Sequence, residues 1–198
     1  MGNESLFRIE KRREARAQLC ERVPKEALTW VIKSIIALGA ASCIEYLHSL
    51  GPKVIHDNIK SSNIPLTEYY DAYVSKFGIT QLISSTSNSR MTGYCTPEVT
   101  DIRNVSQKVD VYSFGTIFLE LLTGKNPSNA GIDLPKWVKS IVEERWTIKV
   151  FDPELIKFLN SEEQMVPLLH LAISCTSNHP ERQPPMVEIA RRIKEICS

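Results

Sequence analysis

Residues 54–78, VIHDNIKSSNIPLTEYYDAYVSKFG, constrain the fold more than any other stretch. His56, Asp57, Asn58, Lys60 and Asn63 crowd into a short polar loop. Residues 64–66 and 72–75 then read as two short strands joined by a turn at 68–71. Pro65 cannot donate to a ladder, so this strand must lie at an edge or be locally distorted. A turn at Lys76, Phe77 and Gly78 follows. Around this segment the chain is helical in pattern. In residues 28–50, Leu28, Val31, Ile35, Leu38 and Tyr46 recur at helical spacing with Ser42 as a small gap, and Gly39, Ala40 and Ala41 would let another helix approach. A second apolar helix opens near Asp110 and closes at Gly124 and Pro127. Further helical stripes run through 134–144 (Trp137, Ile141) and 165–176 (Met165, Leu168, Leu169, Ala172, Ile173). A last helix, 186–197, follows Pro184 and Pro185, which suits a helix start. The expected fold class is mainly α, with a small β-hairpin held among helices.

Several motifs stand in one order along the chain. His56, Lys60 and Asn63 fit the pattern H-R-D-x-K-x-x-N, and Phe77-Gly78 fit the end of D-F-G. GYCTPE (93–98), DVYSFG (110–115), IALGAASCIEYLH (36–48) and HPERQP (179–184) complete the set. Together they resemble the C-terminal lobe of a protein kinase, of the plant leucine-rich-repeat receptor-like Ser/Thr class. The resemblance implies a kinase-like lobe over 28–198, a catalytic loop at 54–63 and an activation segment at 76–98. Residues 1–27 would then be a hinge remnant and a charged linker or helix, with the N-terminal lobe largely absent. It also implies structural roles for His56, for Asp110 under the catalytic-loop backbone, and for Glu98, whose arginine partner would fall on Gln183, with Arg182 one place early.

The departures from the pattern carry chemistry. Asn58 takes the place of the catalytic Asp, and a neutral amide cannot accept the substrate hydroxyl's proton, so help worth roughly 10²–10⁴ in rate is lost. Lys76 replaces the metal-binding Asp, setting an ammonium where a carboxylate should hold Mg²⁺. Asp57 replaces the Arg that would pair with a phosphate on the activation segment, and would repel one. Pro65 stands where the family's adenine floor carries Leu. Lys60 and Asn63 remain as nucleotide-contacting positions, with Asn63 the remnant of the metal site and Lys76 its degenerate partner. No intact metal site and no bound cofactor are expected; ATP and Mg²⁺ enter only through the resemblance.

Composition narrows the partners. A net charge of +1 gives no support to nucleic-acid binding. Five widely spaced cysteines without a CxxC pair read as reduced thiols. The charged N-terminus lacks a secretory signal pattern. Lys33 is expected to break the apolar run around Ala27 to Ile44, leaving it well short of the ~18 residues that a membrane span requires. The basic cluster Lys11, Arg12, Arg13 and Arg16 reads first as a solvated helix face. His48 reads as a surface residue near a helix end.

Three functions compete. The first is an inactive receptor-like kinase module, binding other kinases or signalling proteins, cytoplasmic, and at the plasma membrane within a longer receptor. The second is an ATP-dependent Ser/Thr kinase completed by an upstream lobe. The third is a metal-independent nucleotide sensor in which the Lys76 ammonium stands in for Mg²⁺.

Overall fold

The computed structural model describes residues 29–77, 94, 106–127, 132–144, 147–157 and 162–198. Helix α1 (Trp30–Ser49) leads, followed by α2 (Lys108–Thr123), α3 (Leu134–Glu143), the single turn α4 (Pro153–Ile156), α5 (Glu162–Cys175) and α6 (Met186–Cys197). The described residues are thus mainly helical.

Helix α2 is the centre. Val109 through Leu119 are all buried, and α1, α3 and α5 pack on its sides. A helix buried all round is an interior element rather than an amphipathic surface one. It stops at Gly124, whose φ of 68° is the left-handed geometry that closes helices, with its N–H on the Glu120 carbonyl. Asp133 caps α3 by accepting from Lys136 N, and Asp152 caps α4 by accepting from Glu154 N. Helix α6 buries Met186, Ile189, Ala190 and Ile193, an i, i+3, i+4, i+7 stripe laid on α1 and α5.

Helix α1 presents a different face from the one its apolar spacing suggests. Val31, Ile35 and Tyr46 are 61%, 42% and 69% exposed, whereas Trp30, Lys33, Ser34, Ile36, Ala37, Ala40, Ala41 and Ile44 are buried. The small residues decide it, because they let neighbours close in: a Cβ on Gly39 would lie 3.1 Å from the Ala72 carbonyl. Lys33 decides it as well, burying its ammonium 2.6 Å from Asp152. By length and composition α1 could cross a membrane, with mean hydropathy 1.5, contrary to the expectation that Lys33 breaks the run. Its inner side instead packs within this fold, on α2 and α6.

Between residues 63 and 75 the chain folds back on itself around one isolated bridge. Leu66 and Ala72 form an antiparallel bridge, with Ser75 N donating to Asn63 O (2.9 Å), Tyr73 N to Pro65 O (3.2 Å) and Thr67 N to Asp71 O (3.0 Å). Pro65 only accepts, as its missing N–H requires.

Candidate functional site

The loop that carries the altered positions is fastened from below by Asp110, in the first turn of α2 and fully buried. One carboxylate oxygen accepts the His56 amide at 2.7 Å and the other the Asp57 amide at 2.9 Å. His48 brings its Nε2 to 2.9 Å of the same carboxylate. Its side chain is only 9% exposed, so His48 is an interior partner of Asp110 rather than the surface residue expected. One turn earlier, Gln107 Nε2 faces the carbonyls of His48, Gly51 and Val54 at 3.1, 2.9 and 3.3 Å, joining the end of α1 to the start of the loop. Neither contact is visible in local sequence pattern. The one available signal was a polar pair, Gln107 and Asp110, at helical spacing just where an apolar helix begins.

A second fastening comes from Tyr94. Its hydroxyl donates to Glu120 Oε2 at 2.7 Å and accepts from Ser61 Oγ at 2.9 Å, while its carbonyl accepts from Ser113 Oγ at 2.8 Å. Burial, reinforced by the Glu120 charge, pushes the phenol above its ordinary range and keeps it neutral.

His56 joins loop to hairpin. Its Nε2 donates to the Ser75 carbonyl at 3.1 Å, and burial lowers its pKa against the opposing pull of Asp110. A carbonyl can only accept, so the proton sits on Nε2. The buried Nδ1, without a partner among the described residues, is then an unprotonated acceptor. Phe77 leans on the imidazole with ring centroids 6.0 Å apart.

Asn63 is buried, its Nδ2 donating to Asn58 O at 2.9 Å, and its carbonyl receives both the N–H and the Oγ of Ser75. Its Oδ1 is buried with no partner among the described residues. Asn58 and Lys60 are half-buried, and Lys76 is exposed. Desolvation first, and then the Lys76 charge, depress the Lys60 pKa, so the two ammoniums feel each other. Asp57 and Lys76 both adopt left-handed backbone, with φ of 54° and 67°. This geometry disfavours β-carbon side chains by about 1 kcal/mol.

These groups do not suit Mg²⁺. It wants six hard oxygens, with carboxylates among them, at octahedral positions. Among the described residues no cluster of three His, Cys, Asp or Glu could hold a metal. At the loop stand the amides of Asn58 and Asn63, the single carboxylate of Asp57, and the ammoniums of Lys60 and Lys76.

Glu98 lies outside the described residues, as do the activation-segment positions 78–93 and the basic cluster at 11–16. Gln183 is buried, donates to Ser177 O at 2.9 Å and leaves its Oε1 without a partner among the described residues; Arg182 is exposed on the preceding turn. Lys108 Nζ donates to the Gln183 carbonyl.

Comparison with known proteins agrees with this arrangement. The family described as "Protein kinase domain" matches residues 5–191. "Probable inactive receptor kinase RLK902" of Arabidopsis thaliana is 53% identical, over 85% of this chain and 28% of its own length. "Probable inactive receptor kinase At1g48480" of the same plant is 49% identical, over 87% and 28%. "Leucine-rich repeat receptor-like protein kinase PXC1", also of Arabidopsis thaliana, is 40% identical over 88% and 29%. The chain thus spans under a third of the length of these relatives. Among solved structures, the pseudokinase domain of BIR2, described as an immune regulator of the RLK/Pelle family, superposes with TM-score 0.77 at 27% identity, covering 91% of this chain and 56% of the other. The chain belongs to the protein kinase domain family.

Proposed function

We propose that residues 28–198 form the large lobe of an inactive receptor-like kinase, which serves phosphorylation signalling by binding other kinases or signalling proteins instead of transferring phosphate. The observation that carries this reading is a preserved scaffold under altered chemistry. Asp110, Gln107 and Tyr94 hold the loop, yet the loop offers Asn58 for a general base and Lys76 for a metal ligand. Losing the base alone slows transfer by roughly 10²–10⁴. Opposing the metal removes the cation that would neutralise phosphate charge in the transition state. The names of two relatives about half identical to this chain, and of the superposed pseudokinase domain, support the same reading. By the same likeness, the chain works on the cytoplasmic side of the plasma membrane as part of a longer receptor. Neither ATP nor Mg²⁺ is expected to be its cofactor.

The test is phosphate transfer by a longer chain that includes the upstream segment. No transfer above background is expected with Mg²⁺ or Mn²⁺, while the chain still captures an active receptor-like kinase. Transfer at the rate of an active kinase, abolished by Lys60→Ala, would sink the proposal.

A further inference from the structure

Across from its buried side, α1 turns a second apolar stripe outward. Val31, Ile35 and Tyr46 are 61%, 42% and 69% exposed, Ser42 is exposed, and Leu38 and Gly39 are half-buried among them. At 3.6 residues per turn, Val31, Ile35, Ser42 and Tyr46 fall within about 60° of one another. No charged residue lies on this stripe, because Lys33 is turned inward to Asp152 and Glu45 falls outside it. A surface helix normally sets charged and polar residues opposite its core face. An outer stripe that stays apolar over about four turns marks a surface with a partner.

The stripe has a firm edge. The chain folded back around the Leu66–Ala72 bridge lies along it, with Ala72 against Gly39 and the Ala72 carbonyl 3.8 Å from Cys43 Sγ. Tyr73, next to Ala72, and Tyr69, at the turn, are 53% and 75% exposed. Four side chains on one helix supply less than the ~800 Å² a side of a standard interface, and two tyrosines that can bury about 150–250 Å² each extend the surface towards that size.

The spacing of the stripe reads the same in both directions. Val31 and Tyr46 lie equally far from the point between Leu38 and Gly39, and so do Ile35 and Ser42. Two copies laid antiparallel about a two-fold axis through that point set Val31 on the partner's Tyr46 and Ile35 on the partner's Ser42, a branched side chain over a small one. The steps of four, three and four residues from Val31 to Ser42 are those of a seam along which helices pack at about 20°. A second copy meets no like charge there, whereas a charged partner would find nothing to pair with.

We propose that α1 is a self-association surface, on which two copies of this chain pair through Val31, Ile35, Ser42 and Tyr46 of antiparallel α1 helices. The pairing uses no residue of the loop at 54–63 and does not depend on the capture of other kinases proposed above.

The test is sedimentation velocity of the 198-residue chain from about 1 to 200 µM, a range that brackets assembly through an interface of this size. A dimer that grows in with concentration is expected. Ile35→Glu and Tyr46→Glu each bring one carboxylate per copy into the apolar seam, so a loss of about tenfold at each becomes about a hundredfold in the dimer constant. Both positions are exposed, and both variants should melt like the wild type. The register has its own check. Val31→Lys added to Tyr46→Glu sets opposite charges face to face and should restore the dimer, while Ile148→Glu, at an exposed apolar residue outside α1, should leave it unchanged. A chain that stays monomeric throughout overturns the proposal, and if Ile35→Glu then lowers its Tm, another part of the same chain covers the stripe. A dimer that survives both single variants, or one that they abolish and the double variant does not restore, overturns it as well.

Discussion

Lys33, near the start of α1, holds its ammonium 2.6 Å from Asp152, with the two side chains only 5% and 14% exposed. Asp152 also caps α4 through Glu154 N, donates its own amide to the Leu122 carbonyl and lies against Gly124, where a Cβ would meet its Oδ2 at 2.8 Å. One ion pair therefore joins α1, the end of α2 and the start of α4. Removing the cation takes the Lys33 charge away from this largely buried carboxylate, and breaking such a pair destabilises by about 3–5 kcal/mol. Lys33→Met is expected to lower Tm by about 6–20 °C, taking about 2–4 °C per kcal/mol for a domain of this size. A melt within 2 °C of the wild type would mean the pair contributes little.

Asp110 sets the position of the loop by accepting two consecutive amides. Asp110→Asn keeps the shape but turns one acceptor into an –NH₂ that faces donors. The expected loss is about 2–4 kcal/mol, the magnitude for a buried donor left unmade at a charged partner. The local signature is sharper than the global one: hydrogen exchange at the His56 and Asp57 amides should accelerate relative to amides in α6. Parallel acceleration everywhere would reduce Asp110 to a general stability residue.

Elements with punctuation were legible in the sequence. Gly124 ended α2, and Pro185 preceded α6. The buried face of α1 was not, because a helix apolar on nearly every side gives periodicity nothing to choose with; Ala37, Ala40 and Lys33 choose through neighbours that sequence spacing does not reveal. In the site, Asn58, Lys60, Asn63 and Lys76 could be named because each is a chemical type at a fixed offset. Gln107 and His48 could not, since their partners lie 53–62 positions away. Long-range hydrogen bonds leave no local period.

Gly115 marks the closest approach of α2 and α5. A Cβ there would sit 2.6 Å from Cys175 Cβ and 2.9 Å from Thr176 Cγ2. Alanine would gain about 1 kcal/mol in helix propensity, but overpacking of this kind costs about 1–3 kcal/mol or more. Gly115→Ala is therefore expected to destabilise in urea unfolding, whereas Gly39→Ala, whose nearest contact is 3.1 Å, should fall within about 1 kcal/mol of the wild type. Stabilisation by Gly115→Ala would show that α2 and α5 can separate freely.

His56 should make stability depend on pH in one direction. Its pKa in the fold lies below the ordinary ~6.5, burial outweighing the favourable charges of Asp110 and Asp57 that face it. The unfolded chain therefore binds a proton at a higher pH than the folded chain does. Between ~6.5 and the lower folded value the unfolded state carries more protons, so stability rises with pH through that window. The contribution is complete above ~6.5 and is lost as pH falls towards the folded pKa. Protonation there would also place a second N–H, on Nδ1, in a buried position without an acceptor among the described residues. His56→Gln keeps a donor for the Ser75 carbonyl and removes the titration. Its melting temperature should vary less than that of the wild type between pH 8 and pH 5. If the difference between the two proteins stays constant across that range, His56 binds protons equally in the folded and unfolded chain, and burial does not lower its pKa.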